Sequence, residues 1–312
     1  MKHRRVLTAF TCLLLGGLLP LRLYQTLYQI EPVTGFWRVR SYTEWLLYAG
    51  VALLIVFPLV YATAARKQAV LELGSRHRWA EGVFAALAGV ALAIDAVASL
   101  QLAQGVYRNF VQGIYLTGME MENGSSALQY FIRSGTLAAA MECVFGAVSA
   151  LFFAGLALLD FKPRKNGTPG RLLLLAPLLW GVCRILRRFA RTISYLQVSD
   201  LFLELLLLAC LLMFFLTFAQ VLSGINGEGK ESRLFAAGIP AAVLGLVCFV
   251  PRLVMRLLGR GAELSQDAPA DWCLAALPLF ILVFLGGRLL FGKTAAKAAP
   301  AFAPAAAAES AE

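Results

Sequence analysis

Eight long apolar stretches constrain the fold of this 312-residue chain more than any other feature of its sequence. Each stretch is close to the roughly 20 residues that an α-helix needs to cross the hydrocarbon core of a bilayer. A backbone in hydrocarbon must satisfy its own hydrogen bonds, and the stretches lack the alternating polarity of barrel strands, so the sequence predicts helices. The predicted fold is an all-α membrane protein, a polytopic bundle of eight transmembrane helices. The predicted spans are 6–23, 45–64, 82–102, 136–159, 172–189, 201–222, 234–250 and 272–290.

The composition favours a bilayer rather than water as the solvent of this chain. Hydrophobic residues make up 60% of it and charged residues 15%, which is more apolar surface than a soluble core can hide. The net charge of +10 would suggest nucleic-acid binding in a soluble protein. Here the charges lie mainly between the apolar stretches and at their ends, where membrane orientation explains them better. We therefore predict the lipid bilayer as a partner and no nucleic acid.

The apolar stretches extend through residues 1–292, which we interpret as a single transmembrane domain. The remainder, 293–312, is rich in alanine, contains Pro300 and Pro304, and has no apolar face. This composition predicts a disordered tail.

Lysine and arginine are distributed unevenly between the two sides of the predicted membrane. Of the 28 basic residues, 16 lie on the side of the N-terminus and 12 on the other side. This excess predicts that both termini are cytoplasmic, and we predict a multi-pass protein of a cell membrane. All seven lysines belong to the cytoplasmic set, so the outer set consists of arginine alone. Arginine is preferred where a planar fork binds carboxylates or phosphates.

Three acids and one arginine inside the predicted spans are placed in the outer half of the bundle, where charged groups are costly and usually functional. Asp95, Glu142 and Arg184 lie roughly 20, 25 and 18 Å from the cytoplasmic boundary of their spans, at about 1.5 Å per residue. Glu204 lies close to the outer end of its span. Because an unpaired charge at such a depth would be too costly, we predict that Asp95 or Glu142 pairs with Arg184.

Two arginine stripes mark the outer half of the predicted bundle. One contains Arg184, Arg187, Arg188 and Arg191 at positions i, i+3, i+4 and i+7, and the other contains Arg252, Arg256 and Arg260 at i, i+4 and i+8. Each spacing places the side chains on one face of a helix.

These stripes have three interpretations. The arginines could pair with nearby acids and extend to lipid headgroups. The acids concerned are Asp200, Glu204, Glu263, Asp267 and Asp271. They could instead bind an anionic lipid or solute at a site that contains Arg184, Arg187, Arg188, Arg191, Arg252 and Arg256. Voltage sensing is not favoured, because arginine does not recur at every third position through one span.

Catalytic and metal-binding signatures are missing from the sequence. Histidine is limited to His3 and His77, and the six cysteines have neither zinc-site spacing nor the pattern of a disulfide framework. We therefore predict no catalytic residue, no metal site and no cofactor.

The segment 107–115 has apolar residues at i, i+3, i+4, i+7 and i+8, which is the pattern of one helical stripe. It is too short and too polar to span a membrane. The pattern predicts an amphipathic segment that lies on the outer surface.

Four short segments carry a resemblance to a known group of proteins. They are Leu21-Arg22-Leu23, Glu31-Pro-Val-Thr-Gly-Phe36, Pro177-Leu-Leu-Trp180 with its following arginines, and Phe214-Phe-Leu-Thr-Phe-Ala-Gln220. With these segments the chain resembles a group of uncharacterised multi-spanning membrane proteins of clostridial Gram-positive bacteria. The resemblance implies location and topology, and it implies no chemistry.

Four functions therefore stay open for this chain. The leading hypothesis is a membrane protein that binds an anionic lipid or solute at its arginine-rich outer side. The alternatives are a secondary transporter of an anionic substrate, a membrane enzyme that uses Glu142 or Asp95 as acid or base on a lipid-linked substrate, and a structural or assembly partner. The ligand, the oligomeric state and any protein partner are not predictable from the sequence.

Overall fold

The structure is a computed structural model that describes most of the chain and consists almost entirely of helix there. The described residues are 2–31, 37, 42–64, 79–117, 131–132, 134–161, 173–190, 198–223, 230–260 and 271–291. Within them the β-structure is limited to one isolated antiparallel bridge between Ile30 and Trp37. The all-α prediction is therefore confirmed for these ranges. The predicted tail at 293–312 and Arg191 lie outside them.

Eight α-helices of 15 residues or more make up the described part of the chain. They are α1 (Lys2–Tyr24), α2 (Tyr42–Ala64), α3 (Trp79–Thr117), α4 (Thr136–Phe161), α5 (Ala176–Ala190), α6 (Val198–Leu222), α7 (Lys230–Leu257) and α8 (Cys273–Phe291). A π-helical turn, Gln25–Gln29, continues α1, and a 3-10 turn, Leu173–Leu175, precedes α5.

Six of these helices, α1, α2, α3, α4, α6 and α7, are long and apolar enough to cross a membrane by length and composition. This is the pattern of a multi-pass membrane protein. The helix α5 has only 15 residues and carries Arg184, Arg187 and Arg188, so it does not belong to the six. The described apolar part of α8 is also shorter, from Cys273 to Gly287.

The third helix is much longer than its predicted span of 82–102. It continues without interruption from Trp79 to Thr117, a length of 39 residues. The amphipathic segment 107–115 is therefore the last part of α3, and its position at the outer surface stays a prediction. The physical reason is that Gly105 alone does not interrupt the hydrogen-bond ladder, so the helix of the span simply extends.

The helix α7 lies at the centre of the bundle. It packs against α1, α2, α6 and α8, while α3 packs against α4 and α8, and α5 packs against α4 and α6. Close packing of α7 on α8 depends on Gly245, because a Cβ atom at that position would overlap the ring of Pro278. Small residues such as Ala241 and Ala242, both almost fully buried, allow the same close approach along α7.

Large apolar side chains also cover the outer surface of the bundle. Leu53 on α2, Val90 on α3 and Leu151 on α4 are 50%, 58% and 69% exposed. An apolar surface that is distributed over several helices is unfavourable in water and is the expected surface of a protein in lipid.

Phenylalanine fills the interior of one half of the bundle. The ring of Phe153 on α4 lies 5.2 Å from that of Phe280 on α8, and the ring of Phe218 on α6 lies 5.2 Å from that of Phe284. Both pairs have the edge-to-face geometry that the aromatic quadrupole favours. We call these rings together with Phe214, which lies among them, the phenylalanine core.

The opposite half of the bundle is where α1, α3, α5 and α7 end and where α2, α4, α6 and α8 begin. The ion pairs between the last turns of one set and the first turns of the other show that these termini meet. We call this half the arginine end. At the other end of the bundle, the ring of Trp79 at the start of α3 contacts that of Phe161 at the end of α4.

Candidate functional site

Ten charged side chains form three ion-paired groups at the arginine end, which we call together the arginine–carboxylate network. Five are guanidinium groups and five are carboxylates, so the charges of the set are balanced within the described residues. The members are Arg22, Arg184, Arg187, Arg188, Arg252, Asp95, Glu142, Asp200, Glu204 and Asp271. They come from seven helices or their immediate termini, so the network connects nearly the whole bundle.

The guanidinium of Arg184 is the centre of the network. Its Nη1 atom donates to both oxygens of Asp95, at 2.9 and 3.0 Å, and to Oε1 of Glu142 at 2.9 Å. Its Nη2 atom forms an ion pair with Asp271, which immediately precedes α8. One arginine, only 2% exposed, thus binds three carboxylates from three different parts of the chain. We call this group, with Arg187, the Arg184 cluster.

Trp180 supports the cluster from one turn earlier on α5. Its indole Nε1 donates to Oδ2 of Asp95 at 3.0 Å, and the guanidinium carbon of Arg184 lies 5.3 Å from the centre of its ring. The spacing of four residues places Trp180 and Arg184 on the same face of α5. The tryptophan therefore orients both the acid and the arginine, through a hydrogen bond and a cation–π contact.

Arg187 contacts the second oxygen of Glu142. The distance from its Nε atom to Oε2 of Glu142 is 2.9 Å, and its Nη1 atom donates to the hydroxyl of Ser99 at 3.2 Å. The Nε–H bond of Arg187 is not directed as a hydrogen bond requires. Oε2 of Glu142 therefore has no hydrogen-bond partner within the described residues, although it forms an ion pair. The Nε atom of Arg184 is buried and has none there either.

Glu204 on α6 bridges arginines from two other helices. Arg188 on α5 donates to Oε1 of Glu204 from Nε at 3.1 Å and from Nη2 at 2.5 Å. Arg252 on α7 donates to Oε2 from Nη2 at 3.3 Å. A single carboxylate therefore lies between two guanidinium groups, each of which binds one of its oxygens. Glu204 is 2% exposed, so this bridge is buried.

A third part of the network connects α1 to α6. Arg22 forms an ion pair with Asp200, one helical turn before Glu204, and its Nη1 atom lies 3.5 Å from Oε1 of Gln25. The amide of Gln25 donates to the backbone oxygen of Thr43 at 2.7 Å, which ties the end of α1 to the start of α2.

Burial makes this network sensitive to the loss of any member. Removing charges from water costs several kcal/mol per ion, and the attraction between partners recovers that cost only when hydrogen bonds are also made. Loss of one partner leaves an uncompensated buried charge, which typically costs about 3–5 kcal/mol. The network therefore fixes the relative positions of the helices at the arginine end more than it adds net stability.

The predicted site residues are distributed over three environments. Arg184 contacts both Asp95 and Glu142, whereas Glu204 lies with Arg188 and Arg252. Four of the six arginines that we proposed for anion binding belong to the network. They are Arg184, Arg187, Arg188 and Arg252. The fifth, Arg256, is exposed on α7, and the sixth, Arg191, lies outside the described residues.

Sequence reasoning did not assign a role to Trp180 or to Arg22. Trp180 precedes Arg184 by four residues and Arg188 by eight, a spacing that places all three on one helical face and could have identified it. Arg22 was named only within the segment Leu21-Arg22-Leu23, and its pairing with Asp200 depends on the contact between α1 and α6, which no local pattern indicates.

One group of side chains has a spacing that could suit a metal ion. The ligand atoms of Asp95, Asp271 and Cys273 lie within 4.8 Å of one another. However, both carboxylates already bind the guanidinium of Arg184, and the thiol of Cys273 donates to the backbone oxygen of Ala91 at 3.1 Å. A metal ion here would be repelled by the adjacent guanidinium, so these residues do not form a convincing metal site.

No known protein family, no curated protein and no solved structure matches this chain. The resemblance to uncharacterised clostridial membrane proteins therefore stays a prediction, and the function must be argued from the network itself.

Proposed function

We propose that this chain is a multi-pass membrane protein that binds the acidic group of an anionic ligand between α5, α6 and α7. The observation that carries the proposal is the bridge at Glu204, where guanidinium groups from two helices converge on one carboxylate. A ligand carboxylate or phosphate has the same charge and similar oxygen geometry as the glutamate side chain, so it would compete for the same donors.

The surroundings of the bridge favour access from the arginine end. The side chain of Arg188 is 16% exposed, compared with 3% for Glu204, so one of the two guanidiniums reaches the surface. Arg256 follows Arg252 by one turn of α7 and is exposed. An anion could therefore meet Arg256 first and then exchange with the carboxylate of Glu204 at Arg188 and Arg252.

The acidic group could belong either to a lipid headgroup or to a small acidic solute. The test uses the detergent-purified protein with two probes, inorganic phosphate and vesicles that contain phosphatidylglycerol. A ligand at about 100 times its Kd would stabilise the folded protein by about 2.7 kcal/mol, which a rise in melting temperature would report. Stabilisation by the vesicles alone would identify a lipid, and stabilisation by phosphate would identify a solute-sized anion.

Three variants decide whether the bridge is the site. Arg252→Gln removes one of the two donors and should weaken binding about tenfold or more, because a charge-assisted hydrogen bond contributes about 1.5–3 kcal/mol. Glu204→Gln removes the internal competitor and should strengthen binding. Arg108→Gln, at an exposed position on α3, is the matched control and should change nothing. Unchanged affinity in both Arg252→Gln and Glu204→Gln would refute the proposal.

A second function, that of an assembly partner without a ligand, is favoured by one specific observation. The five arginines of the network all have carboxylate partners within the chain itself. In that case neither probe would stabilise the protein, and a second chain would co-purify with it. An enzymatic role is less well supported, because Glu142 is fully buried and both it and Asp95 are bound by Arg184.

The transporter alternative needs a different arrangement from this one. Secondary transporters place their substrate near the midplane, between broken helices. Here Asp95 and Arg184 lie instead within α3 and α5, which are continuous helices, while Arg22 and Arg252 lie near helix ends. Uptake of labelled phosphate into proteoliposomes would distinguish a transporter from a binding protein, since only the former would accumulate the anion.

We further propose eight membrane crossings, with the arginine end outside and both termini in the cytoplasm of a bacterial cell. The support is the separation of lysine from arginine and the eight helices, of which α5 and α8 are the shortest. Reporter fusions at both termini test this proposal. Activity of the two reporters on opposite sides of the membrane would contradict it.

A further inference from the structure

The Arg184 cluster contains more negative than positive charge. Three carboxylates, those of Asp95, Glu142 and Asp271, contact two guanidinium groups, those of Arg184 and Arg187. If all five groups were ionised, the cluster would carry one uncompensated negative charge in the buried part of the bundle. The matching excess of positive charge lies in the separate group of Arg188, Arg252 and Glu204. A local excess of charge is costly in a low-dielectric interior, so the binding of one proton would stabilise the cluster.

We infer that the Arg184 cluster is a proton-binding site and that Glu142 carries the proton. The proton comes from the solvent and is returned to it, so the site exchanges one proton without any other reactant. This inference concerns the ligand-free protein and does not depend on the proposed anion site.

The three acids differ in how well their ionised forms are stabilised. Asp95 accepts hydrogen bonds from Arg184 on both oxygens and a third from the indole of Trp180. Asp271 pairs with Nη2 of Arg184 and immediately precedes the N-terminus of α8, where the helix dipole favours an anion. Both aspartates are therefore held in the carboxylate form.

Glu142 has the weakest stabilisation of its charge. It is 0% exposed, and its Oε1 atom shares the Nη1 donor of Arg184 with Asp95. Its Oε2 atom is buried and makes no hydrogen bond with any described residue, although Nε of Arg187 lies 2.9 Å away. A carboxylate oxygen that is desolvated and lacks a donor is the position where protonation lowers the free energy most.

Among the described residues, the charged and titratable groups that contact Glu142 or interact with it electrostatically come from α3, α5 and the start of α8. They are Asp95, Cys183, Arg184, Arg187 and Cys273, and the partners of these groups add Ser99, Trp180 and Asp271. A metal ion in place of the proton would need the two aspartates that Arg184 already binds. The side chains of Asp95 and Arg187 are 12% and 15% exposed, so the edge of the cluster is less deeply buried than Glu142.

Infrared spectroscopy tests the inference directly on the full-length protein in detergent. A protonated carboxyl group has a carbonyl stretching band that a carboxylate lacks, so the wild-type protein should show this band at neutral pH and lose it at high pH. Uniform ¹³C-glutamate labelling should shift the band, and ¹³C-aspartate labelling should leave it in place. An aspartate-dependent band, or no band at all, would overturn the inference.

Two variants separate the charge imbalance from the identity of the acid. Glu142→Gln should abolish the band because it removes the protonated group. Asp95→Asn should also abolish it, because two acids would then balance two guanidiniums and Glu142 would ionise. A band that persists in either variant would contradict the inference. The labelled wild type keeps the test decisive even if a variant does not fold.

The pH dependence of stability gives an independent measurement. If Glu142 keeps its proton in the folded protein while the glutamates of the unfolded chain are ionised, the folded state binds one proton more near neutral pH. The free energy of unfolding should therefore fall as pH rises in wild type. Glu142→Gln should reduce that slope by one proton per molecule. An equal slope in both proteins would show that Glu142 binds no proton and would refute the inference. A slope that disappears when sodium ions are added would also refute it, because it would indicate that the cluster binds a metal cation.

Discussion

The phenylalanine core and the arginine–carboxylate network hold the same helices together in different ways. In the core, the rings of Phe280 on α8 and Phe218 on α6 make edge-to-face contacts with rings from neighbouring helices. In the network, Arg184 of α5 and Glu204 of α6 bind groups at hydrogen-bond distance in fixed directions. Both regions are buried, so exposure does not distinguish them.

The difference lies in how each region responds to a change. Contacts between rings are numerous and individually weak, so another apolar group of similar size recovers most of them. Buried ion pairs depend on each partner, and loss of one leaves the others charged and without compensation. We therefore expect the core to tolerate substitution and the network to resist it. Three measurements test this contrast, in order of decreasing effect.

The largest effect is expected for Arg184→Leu. The substitution leaves Asp95, Glu142 and Asp271 without the guanidinium that they share, which should reduce the free energy of unfolding by about 3–5 kcal/mol. Thermal melting of the purified protein in detergent measures it. Arg108→Leu, at an exposed position, is the control and should stay within about 0.5 kcal/mol of wild type. If both variants melt alike, the network has no special sensitivity.

A smaller effect is expected for Gly245→Ala, which tests the backbone contact that supports the apolar half. The added methyl group would overlap the ring of Pro278, so α7 and α8 must separate, at a cost of about 1–3 kcal/mol. Gly155→Ala on α4 is the matched control, since a Cβ atom there has no neighbour within 4 Å. The same thermal melt compares the two. A stable Gly245→Ala protein would show that this contact is not essential.

The smallest effect is expected for Phe280→Leu, because the replacement stays apolar and fills much of the same space. We expect a loss below about 1.5 kcal/mol. Leu151→Val on α4 is the control, since this outward-facing side chain is 69% exposed and should contribute less still. A loss for Phe280→Leu as large as that for Arg184→Leu would remove the contrast between the two regions.

Much of the fold could be predicted because the bilayer imposes simple rules on sequence. Long apolar stretches must be helices, and the helices α2, α4 and α6 follow the predicted spans within a few residues at each end. The extension of α3 to Thr117 was not predicted, since the end of a hydrophobic stretch marks the limit of the lipid and not the limit of the helix. The arginines that made the stripe of α5 visible also make that helix less apolar than a typical span.

The site could be predicted only in part, for a related reason. Asp95, Glu142 and Arg184 could be selected because they lie deep inside their predicted spans, where an isolated charge needs a partner. The structure brings all three together. Depth alone does not specify which acid meets which arginine. The contact of Arg184 with Asp271, and that of Arg22 with Asp200, depend on how distant helices pack, which spacing along the chain does not reveal.

The length of α3 has a consequence for how other molecules meet this protein. A helix of 39 residues measures about 58 Å, whereas the hydrocarbon of a bilayer is only about 30 Å thick. Even at a tilt of about 40°, near the upper limit for membrane helices, its ends would be about 44 Å apart in depth. If α3 crosses a bilayer, one end of it therefore extends beyond the hydrocarbon into the headgroups or the water. Antibody fragments raised against the folded chain should then bind this end of α3.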